Sequence, residues 1–222
     1  MNNIGLYGGT FNPIHYGHLR TAWEVKEAFN LASVVFIPAA IPPHKNPGQI
    51  ENTHDRMEMI RLAVENRQGF ELSDVELQRA GLSFTVDTVK YFQTIGAGKA
   101  KYYFIIGSDA FLEINTWKSF RELLSLISFI VMMRPDPDLK AIEGPFPMLH
   151  DFLCRKISKD FVFQSDQACY CHPDLMPVYV QKVTPLSISS TKIREMIREG
   201  KSAGFLIPDA VENYIHTKGL YQ

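Results

Sequence analysis

The chain has 222 residues, 45% hydrophobic and 21% charged, and a formal net charge of −1, which gives no electrostatic reason to expect nucleic acid or an anionic membrane as a partner. Three cysteines are too few for a secreted disulfide framework, and the longest apolar stretch, Leu123–Met133, is shorter than the roughly 20 residues of a membrane span. Because the first residues show no signal peptide, we expect a cytoplasmic protein that buries a core without disulfides or structural metals.

Short β-branched and aromatic runs alternate along the chain with stretches of helical periodicity. In chain order the predicted elements are strand Ile4–Tyr7, helix His18–Phe29, strand Val34–Ile37, helix Asp55–Glu65, strand Phe70–Leu72, helix Val86–Gln93, strand Tyr102–Ile106, the largely helical Glu113–Leu126, strand Phe129–Met133, strand Val178–Val183, helix Thr191–Glu199 and helix Pro208–His216. This alternation predicts an α/β fold, a doubly wound parallel sheet with helices on both faces. Thr53 is a candidate helix cap, and Gly200 stands where a C′ glycine is expected.

One stretch, from about residue 136 to residue 177, holds five prolines and shows no clean period. A helical insertion and a mobile loop both remain open for it. Because no repeat or low-complexity tract divides the rest, we expect a single domain over residues 1–222 that contains this irregular segment.

The loops that follow strands are where ligands bind in such sheets. The first strand leads into GGTFNPIHYGHL, Gly8–Leu19, in which two glycines permit close backbone approach to a ligand. His15 and His18 lie three residues apart at a helix start, where free amides and the positive end of the helix dipole favour a phosphate. The alternative is a glycine turn whose histidines cap and pack. A zinc site is disfavoured because no third ligand lies near.

Further loops carry polar groups after other strands. Pro42–Lys45 is a stiff loop with a cation and a donor, and a plain surface loop is the alternative. Gly107-Ser108-Asp109 places a carboxylate where it can accept from ribose hydroxyls, or cap a helix. Ser189–Thr191, with Lys192 and Arg194, opens a helix as an anion site or as an ordinary cap. A metal site at Cys154, Cys169, Cys171 and His172 is disfavoured by the C-x-C spacing.

The string His15-Tyr16-Gly17-His18 resembles the H-x-G-H signature of a nucleotidyltransferase superfamily. The chain is most similar to the bacterial nicotinate-nucleotide adenylyltransferases, and the resemblance covers nearly all of it outside residues 136–177. The further matching segments, in the family's order, are Ile37-Pro38 with Pro42–Lys45, Ser83–Thr88, Phe104–Asp109 with Trp117, and Ile188–Arg194. Two positions depart from the commonest pattern, since Asn12 replaces an aspartate and Phe84 replaces a tyrosine.

The resemblance implies a Rossmann-like nucleotidyltransferase fold and transfer of AMP from ATP to nicotinate mononucleotide, giving deamido-NAD and pyrophosphate in NAD biosynthesis. It also implies Mg²⁺ as the companion of ATP, with no metal site of the protein's own. The residues implied as catalytic are His18, His15, Lys45 and Arg194. Those implied in ATP binding are Gly8, Gly9, Thr10, Phe11, His18, Gly107, Asp109, Ser189, Ser190, Thr191 and Arg194. Those implied in mononucleotide binding are His44, Lys45, Thr85, Asp109 and Trp117, the last by stacking on the pyridine ring.

Alternative functions remain at this point. The same chemistry could act on nicotinamide mononucleotide or on another phosphate acceptor. A non-catalytic nucleotide sensor is the alternative of a different class, and intact His15 and His18 disfavour it. The sequence leaves open whether the protein forms a homo-oligomer.

Overall fold

A computed structural model describes residues 2–41, 51–79, 81–96, 98–133 and 147–222. In chain order its elements are β1 Asn2–Gly9, α1 Tyr16–Ala28, β2 Ser33–Pro38, α2 Thr53–Val64, β3 Phe70–Leu72, α3 Thr85–Gly96, β4 Ala100–Gly107, α4 Ser108–Phe111, a 3₁₀ turn Ile114–Thr116, α5 Phe120–Leu126, β5 Ser128–Met133, α6 Pro147–Phe152, a π-helical turn Leu153–Ile157, β6 Val162–Gln164, β7 Cys169–Cys171, β8 Val178–Lys182, α7 Ser190–Arg198 and α8 Asp209–Lys218. Within the described ranges, no helix combines the length and apolar character that crossing a membrane requires.

The eight strands of the described residues form one sheet in the order β3-β2-β1-β4-β5-β8-β7-β6. The pairs β2–β3, β4–β5 and β5–β8 are parallel, whereas β6 and β7 add an antiparallel extension next to β8. The order of the first five strands, 3-2-1-4-5, is that of Rossmann-type sheets and reverses between β1 and β4. The predicted α/β fold with a mostly parallel sheet is confirmed.

The chain divides into two compact units. The first, called the α1 unit, comprises Leu6–Ser83 and Leu186–Gln222. Its strand β2 is buried along its whole length, as expected of a parallel strand covered on both faces. Helix α2 turns its buried face inward through a set at helical spacing, which is Arg56, Met59, Ile60, Ala63 and Val64.

The second, called the β4 unit, comprises Met1–Gly5 and Phe84–Pro185. In it β4 is buried from Tyr103 to Ile106 and β5 from Ser128 to Met132. Both stretches are continuously covered, in keeping with strands packed on both faces. The expectation that residues 1–222 act as a single domain stays a prediction.

The start of α2 differs from the sequence prediction. The expected cap, Thr53, is the first helical residue, and Asn52 is the cap, its side-chain oxygen accepting from the Asp55 N–H at 2.9 Å. Thr53 instead donates its hydroxyl to the carbonyl of Ala40 at 3.2 Å. The capping prediction was wrong because asparagine satisfies the orphan amide one residue earlier.

The irregular segment contains more regular structure than the sequence indicates. Its described part, residues 147–177, holds α6, the π-helical turn, β6 and β7. Each of these two strands has three residues, too few to display a period of two. By contrast, the C′ glycine after α7 is confirmed, since Gly200 has φ of 71° and the Lys201 N–H bonds the carbonyl of Met196.

Candidate active site

The loop after β1, residues 8–15, is called the β1 loop. Phe11 has φ of 48° and is buried, and its ring lies against Gly9. A Cβ at position 9 would come within 2.8 Å of that ring, so glycine is required there. The same ring meets the imidazole of His18 edge to face, with centroids 5.1 Å apart. Phe11 thereby packs the β1 loop onto the start of α1.

The two predicted histidines cap α1 reciprocally. His15 is the N-cap residue, its Nδ1 accepts from the His18 N–H at 3.3 Å, and the His15 N–H donates to His18 Nδ1 at 3.3 Å. The two rings stack with centroids 3.7 Å apart and planes 18° apart. This arrangement is the capping box of helix starts, built from imidazoles. Gly17 makes room for it, because a Cβ there would lie 2.9 Å from His15 Nδ1.

The caps define which nitrogen of each ring carries the proton. A nitrogen that accepts a hydrogen bond has no proton, so a neutral imidazole with Nδ1 in a cap bears its proton on Nε2. His15 is buried and His18 is half-buried. In each neutral ring the proton is therefore on Nε2, while Nδ1 holds the helix start.

The start of α7 is bonded to the β1 loop. Ser189 caps α7 by accepting from the Lys192 N–H at 3.2 Å. Ser190 donates its hydroxyl to the carbonyl of Pro13 at 2.9 Å. Arg194 donates to the carbonyl of Asn12 at 2.8 Å and to the hydroxyl of Thr191 at 3.3 Å. The structure thus brings together five residues of the α1 unit that were predicted as catalytic or ATP-binding, which are His15, His18, Ser190, Thr191 and Arg194.

Asn12 and Tyr221 form a contact that sequence reasoning missed. The Tyr221 hydroxyl donates to Asn12 Oδ1 at 2.8 Å, and the same oxygen accepts from the Glu51 N–H at 3.3 Å. Both side chains are buried. Burial, and next the charge of Glu51, raises the pKa of Tyr221 above its ordinary value, which keeps the hydroxyl protonated as a donor. The amide oxygen of Asn12 suits this pair of donors.

Arg56 was also missed, although it is the largest fully buried side chain among the described residues. Its Nη1 donates to the carbonyl of Thr10 at 2.8 Å, and its Nη2 to the carbonyl of Ala39 at 2.7 Å. Its Nε donates to the carbonyl of Glu51 at 3.0 Å. The signal lay in the helical period, since Arg56 shares the face of α2 that carries Met59 and Ile60.

The β4 unit holds Thr85, Asp109 and Trp117, three of the residues predicted for the mononucleotide, and Gly107, which was predicted for ATP. Gly107 ends β4, and Asp109 leans back so far that a Cβ at position 107 would lie 2.5 Å from its carboxylate. Thr85 opens α3, and Trp117 is half-buried after the 3₁₀ turn. Next to Trp117, Lys118 places its ammonium 4.4 Å from the Phe84 ring centroid and 3.2 Å from Asp87, a cation at the start of α3 that sequence reasoning did not single out.

Other residues singled out in the sequence are His44, Lys45 and the three cysteines. His44 and Lys45 lie outside the described residues. Cys154, Cys169 and Cys171 are free thiols, and burial raises the pKa of Cys169 to about 12, so its side chain is protonated at neutral pH. In the part of the chain that the structure describes, no group of three or more His, Cys, Asp or Glu side chains could hold a metal ion.

Comparison with known proteins identifies the family of the chain. The chain matches the cytidylyltransferase-like family over residues 6–196. A protein of Desulfatibacillum aliphaticivorans, named a probable nicotinate-nucleotide adenylyltransferase, is 43% identical over 222 residues, covering 98% of this chain and 99% of the relative. The chain belongs to the nicotinate-nucleotide adenylyltransferase family. A second member, from Desulfitobacterium hafniense, is 40% identical over 99% of this chain and 95% of its own.

Solved structures show the same fold. The nicotinic acid mononucleotide adenylyltransferase of Plasmodium falciparum, complexed with NaAD, superposes with a TM-score of 0.73 at 20% identity, covering 100% of this chain and 98% of that one. The same enzyme complexed with APC gives a TM-score of 0.71 at 19% identity. At this identity the likeness establishes the shared fold of the family.

Proposed function

We propose that this chain transfers AMP from ATP to nicotinate mononucleotide, releasing pyrophosphate and forming deamido-NAD, a step of NAD biosynthesis. The observation that carries the proposal is the reciprocal capping of His15 and His18 at the start of α1, because it fixes both imidazoles at a helix N-terminus, where phosphate is favoured. The substrates follow from the names of relatives that are about 40% identical over nearly the full length.

The chemistry needs positioning more than proton transfer. The 5′-phosphate of the acceptor is an anion at neutral pH, so it attacks the α-phosphorus of ATP without a general base. Negative charge shifts onto the bridging oxygen as pyrophosphate leaves. We assign the Nε2–H of His18 to the reacting phosphates, where a donor already held in place stabilises the transition state without reorganising.

Several groups of the α1 unit are proposed to bind the rest of ATP. The glycines Gly8 and Gly9 and the residues Thr10 and Phe11 give the triphosphate access to main-chain amides. Ser189 and Thr191 stand at the N-terminus of α7, which favours anions. Arg194 uses two of its five N–H donors in the bonds to Asn12 and Thr191, which leaves others for phosphate.

The mononucleotide is proposed to bind through Thr85, Asp109 and Trp117 of the β4 unit; Asp109 is also assigned to ATP, and Gly107 to ATP alone. Asp109 accepts from ribose hydroxyls, Trp117 stacks on the pyridine ring, and Thr85 holds the ring carboxylate at the start of α3. We assign His44 and Lys45 to the mononucleotide from the family resemblance, and Lys45 with His15 and Arg194 to catalysis.

Mg²⁺ is proposed to arrive bound to ATP. Mg²⁺ is commonly held by substrate phosphates and water, with few ligands from the protein. The three cysteines are free thiols, as is usual in a reducing compartment, and we propose that the reaction takes place in the cytoplasm. We further propose that residues 1–222 act as a single domain and that nucleic acid is not a partner.

One assay tests the function. Purified protein with Mg²⁺ and ATP is offered nicotinate mononucleotide, nicotinamide mononucleotide and phosphopantetheine separately, and products are identified by mass spectrometry alongside pyrophosphate release. Deamido-NAD as the main product supports the proposal. A different product would change the acceptor. ATP binding by folded protein without any product would identify a nucleotide sensor instead.

A further inference from the structure

The guanidinium of Arg56 is buried. Its side chain has no exposed surface, and burial lowers its pKa from the ordinary value. Arginine nevertheless stays protonated in proteins. Within the described ranges, Arg56 forms no ion pair, and its contacts are backbone carbonyls and the hydroxyl of Thr53, 3.1 Å from Nη2. A buried charge of this kind is costly, and a simple packing role would be served by a hydrocarbon side chain.

The carbonyls that Arg56 binds belong to separate segments of the α1 unit. Thr10 lies in the β1 loop, Ala39 follows β2, and Glu51 precedes α2. One planar group with N–H donors in fixed directions therefore sets the backbone of three segments at once. Lysine, with a single rotatable ammonium, does not reproduce that geometry.

The bond to Thr10 has a directional consequence. In a trans peptide the N–H points opposite to the carbonyl of the same unit. Since the Thr10 carbonyl points at Arg56, the Phe11 N–H points away from it. No acceptor for that N–H is found among the described residues. The Ala39 carbonyl behaves in the same way, and there the following Ala40 N–H donates to Ser83 Oγ at 2.8 Å.

We propose that Arg56 is a positioning residue for the phosphates of ATP. It turns the Thr10 carbonyl inward, so that the Phe11 amide faces the ligand, and it places an unneutralised positive charge behind the loop that receives the triphosphate. The inference rests on the proposed function only in that the β1 loop binds ATP. Arg56 acts through the loop and does not touch substrate.

The test compares Arg56→Met and Arg56→Lys by two calorimetric titrations on separate samples. One uses Mg²⁺–ATP in the absence of any acceptor, and the other uses nicotinate mononucleotide in the absence of ATP. We expect Arg56→Met to raise the Kd for ATP at least tenfold and to lower kcat about 10²-fold, the scale of a 1 Å misplacement of reacting groups. Arg56→Lys keeps the charge and should raise the Kd for ATP about three- to tenfold. The Kd for the mononucleotide should change less than threefold.

Arg61 provides the matched control. It lies on the same helix but is exposed and paired with Glu58 and Glu65 at 2.7 and 2.8 Å. Arg61→Met should leave both Kd values within twofold of the wild type. Should Arg56→Met fail to fold, Arg56→Lys and Thr53→Val, which removes one acceptor of the guanidinium, still weaken ATP binding selectively if the inference holds.

The possible outcomes distinguish the positioning role of Arg56 from the proposed function of the chain. Folded Arg56 variants with ATP binding within threefold of the wild type overturn the positioning role, as does an equal loss of affinity for both substrates, which marks a general packing defect. A wild-type protein that binds no ATP overturns the proposed function and this inference with it. A wild type that binds ATP but uses another acceptor leaves the inference intact.

Discussion

The two roles of His18, as helix cap and as phosphate donor, are separable by substitution. Alanine removes both the Nδ1 acceptor and the Nε2–H. Asparagine keeps an oxygen where Nδ1 accepts from the His15 N–H, but it has nothing at the position of Nε2. Glutamine, a common residue at this position of a capping box, supplies both an acceptor and a more distant N–H donor. His18→Ala therefore removes both the cap and the donor, His18→Asn removes only the donor, and His18→Gln keeps both.

The contacts of His18 indicate how much each substitution should change the stability and kcat. Loss of the 3.3 Å cap in His18→Ala should lower the free energy of unfolding by about 1 kcal/mol, or roughly 2–4 °C in Tm for a chain of this size. His18→Asn should keep stability within about 0.5 kcal/mol, since histidine and asparagine have similar helix propensities. Both should lower kcat about 10²- to 10³-fold, as expected for loss of one transition-state donor. His18→Gln should retain kcat within about tenfold.

Steady-state kinetics with saturating ATP and nicotinate mononucleotide give kcat, and thermal unfolding gives stability on the same preparations. The informative variant is His18→Asn, which is stable but lacks the donor. If it turned over at near the wild-type rate, the activity would depend on the capped helix and not on an Nε2–H at the phosphates, and the assignment of His18 would be refuted.

Further predictions concern the acceptor and the helix start. Trp117→Ala should raise KM for the mononucleotide several-fold, because stacking contributes on the order of 1 kcal/mol, and leave KM for ATP nearly unchanged; equal changes would indicate a packing defect. The ratio of kcat/KM for nicotinate over nicotinamide mononucleotide should reach roughly 10² or more, and a ratio within threefold of unity would contradict carboxylate recognition. Lys118→Met should preserve that ratio if main-chain amides at the start of α3 read the carboxylate, and abolish it if the ammonium does. Gly17→Ala should destabilise the protein by about 1–3 kcal/mol, since its Cβ would lie 2.9 Å from His15 Nδ1, and an unchanged Tm would argue against the stacked pair.

Local sequence patterns were enough to predict the parallel part of the sheet. Each of the six predicted strands lies within or overlaps an observed one, and Phe70–Leu72 has the predicted bounds. Five of these strands have five to eight residues and are rich in apolar or β-branched side chains, whereas β3 has three. The equally short strands β6 and β7 were not predicted, since they lie in the segment without a clean period and are stabilised by antiparallel pairing with each other and with β8.

Contacts between distant residues could not be predicted in the same way. His15 and His18 were predicted at a helix start, with capping as the alternative to phosphate binding, and they do cap α1; that each caps the other was not predicted, since imidazoles are not the usual capping groups. Arg56 lies on an apolar helical face, yet nothing in the sequence tells which carbonyls it meets. Tyr221 and Asn12 are 209 positions apart, and only the folded chain joins them.

The 209 positions between Asn12 and Tyr221 determine when the β1 loop can form all of its bonds during synthesis. Its last bond, from Tyr221 to Asn12, follows bonds from Ser190 and Arg194 that span 177 and 182 positions. At about 5–20 residues per second, a ribosome needs on the order of 10–40 s to pass from one partner to the other. During that interval the β1 loop can already be bonded by Arg56, 46 positions after Thr10, but it still lacks its bonds to α7 and to Tyr221.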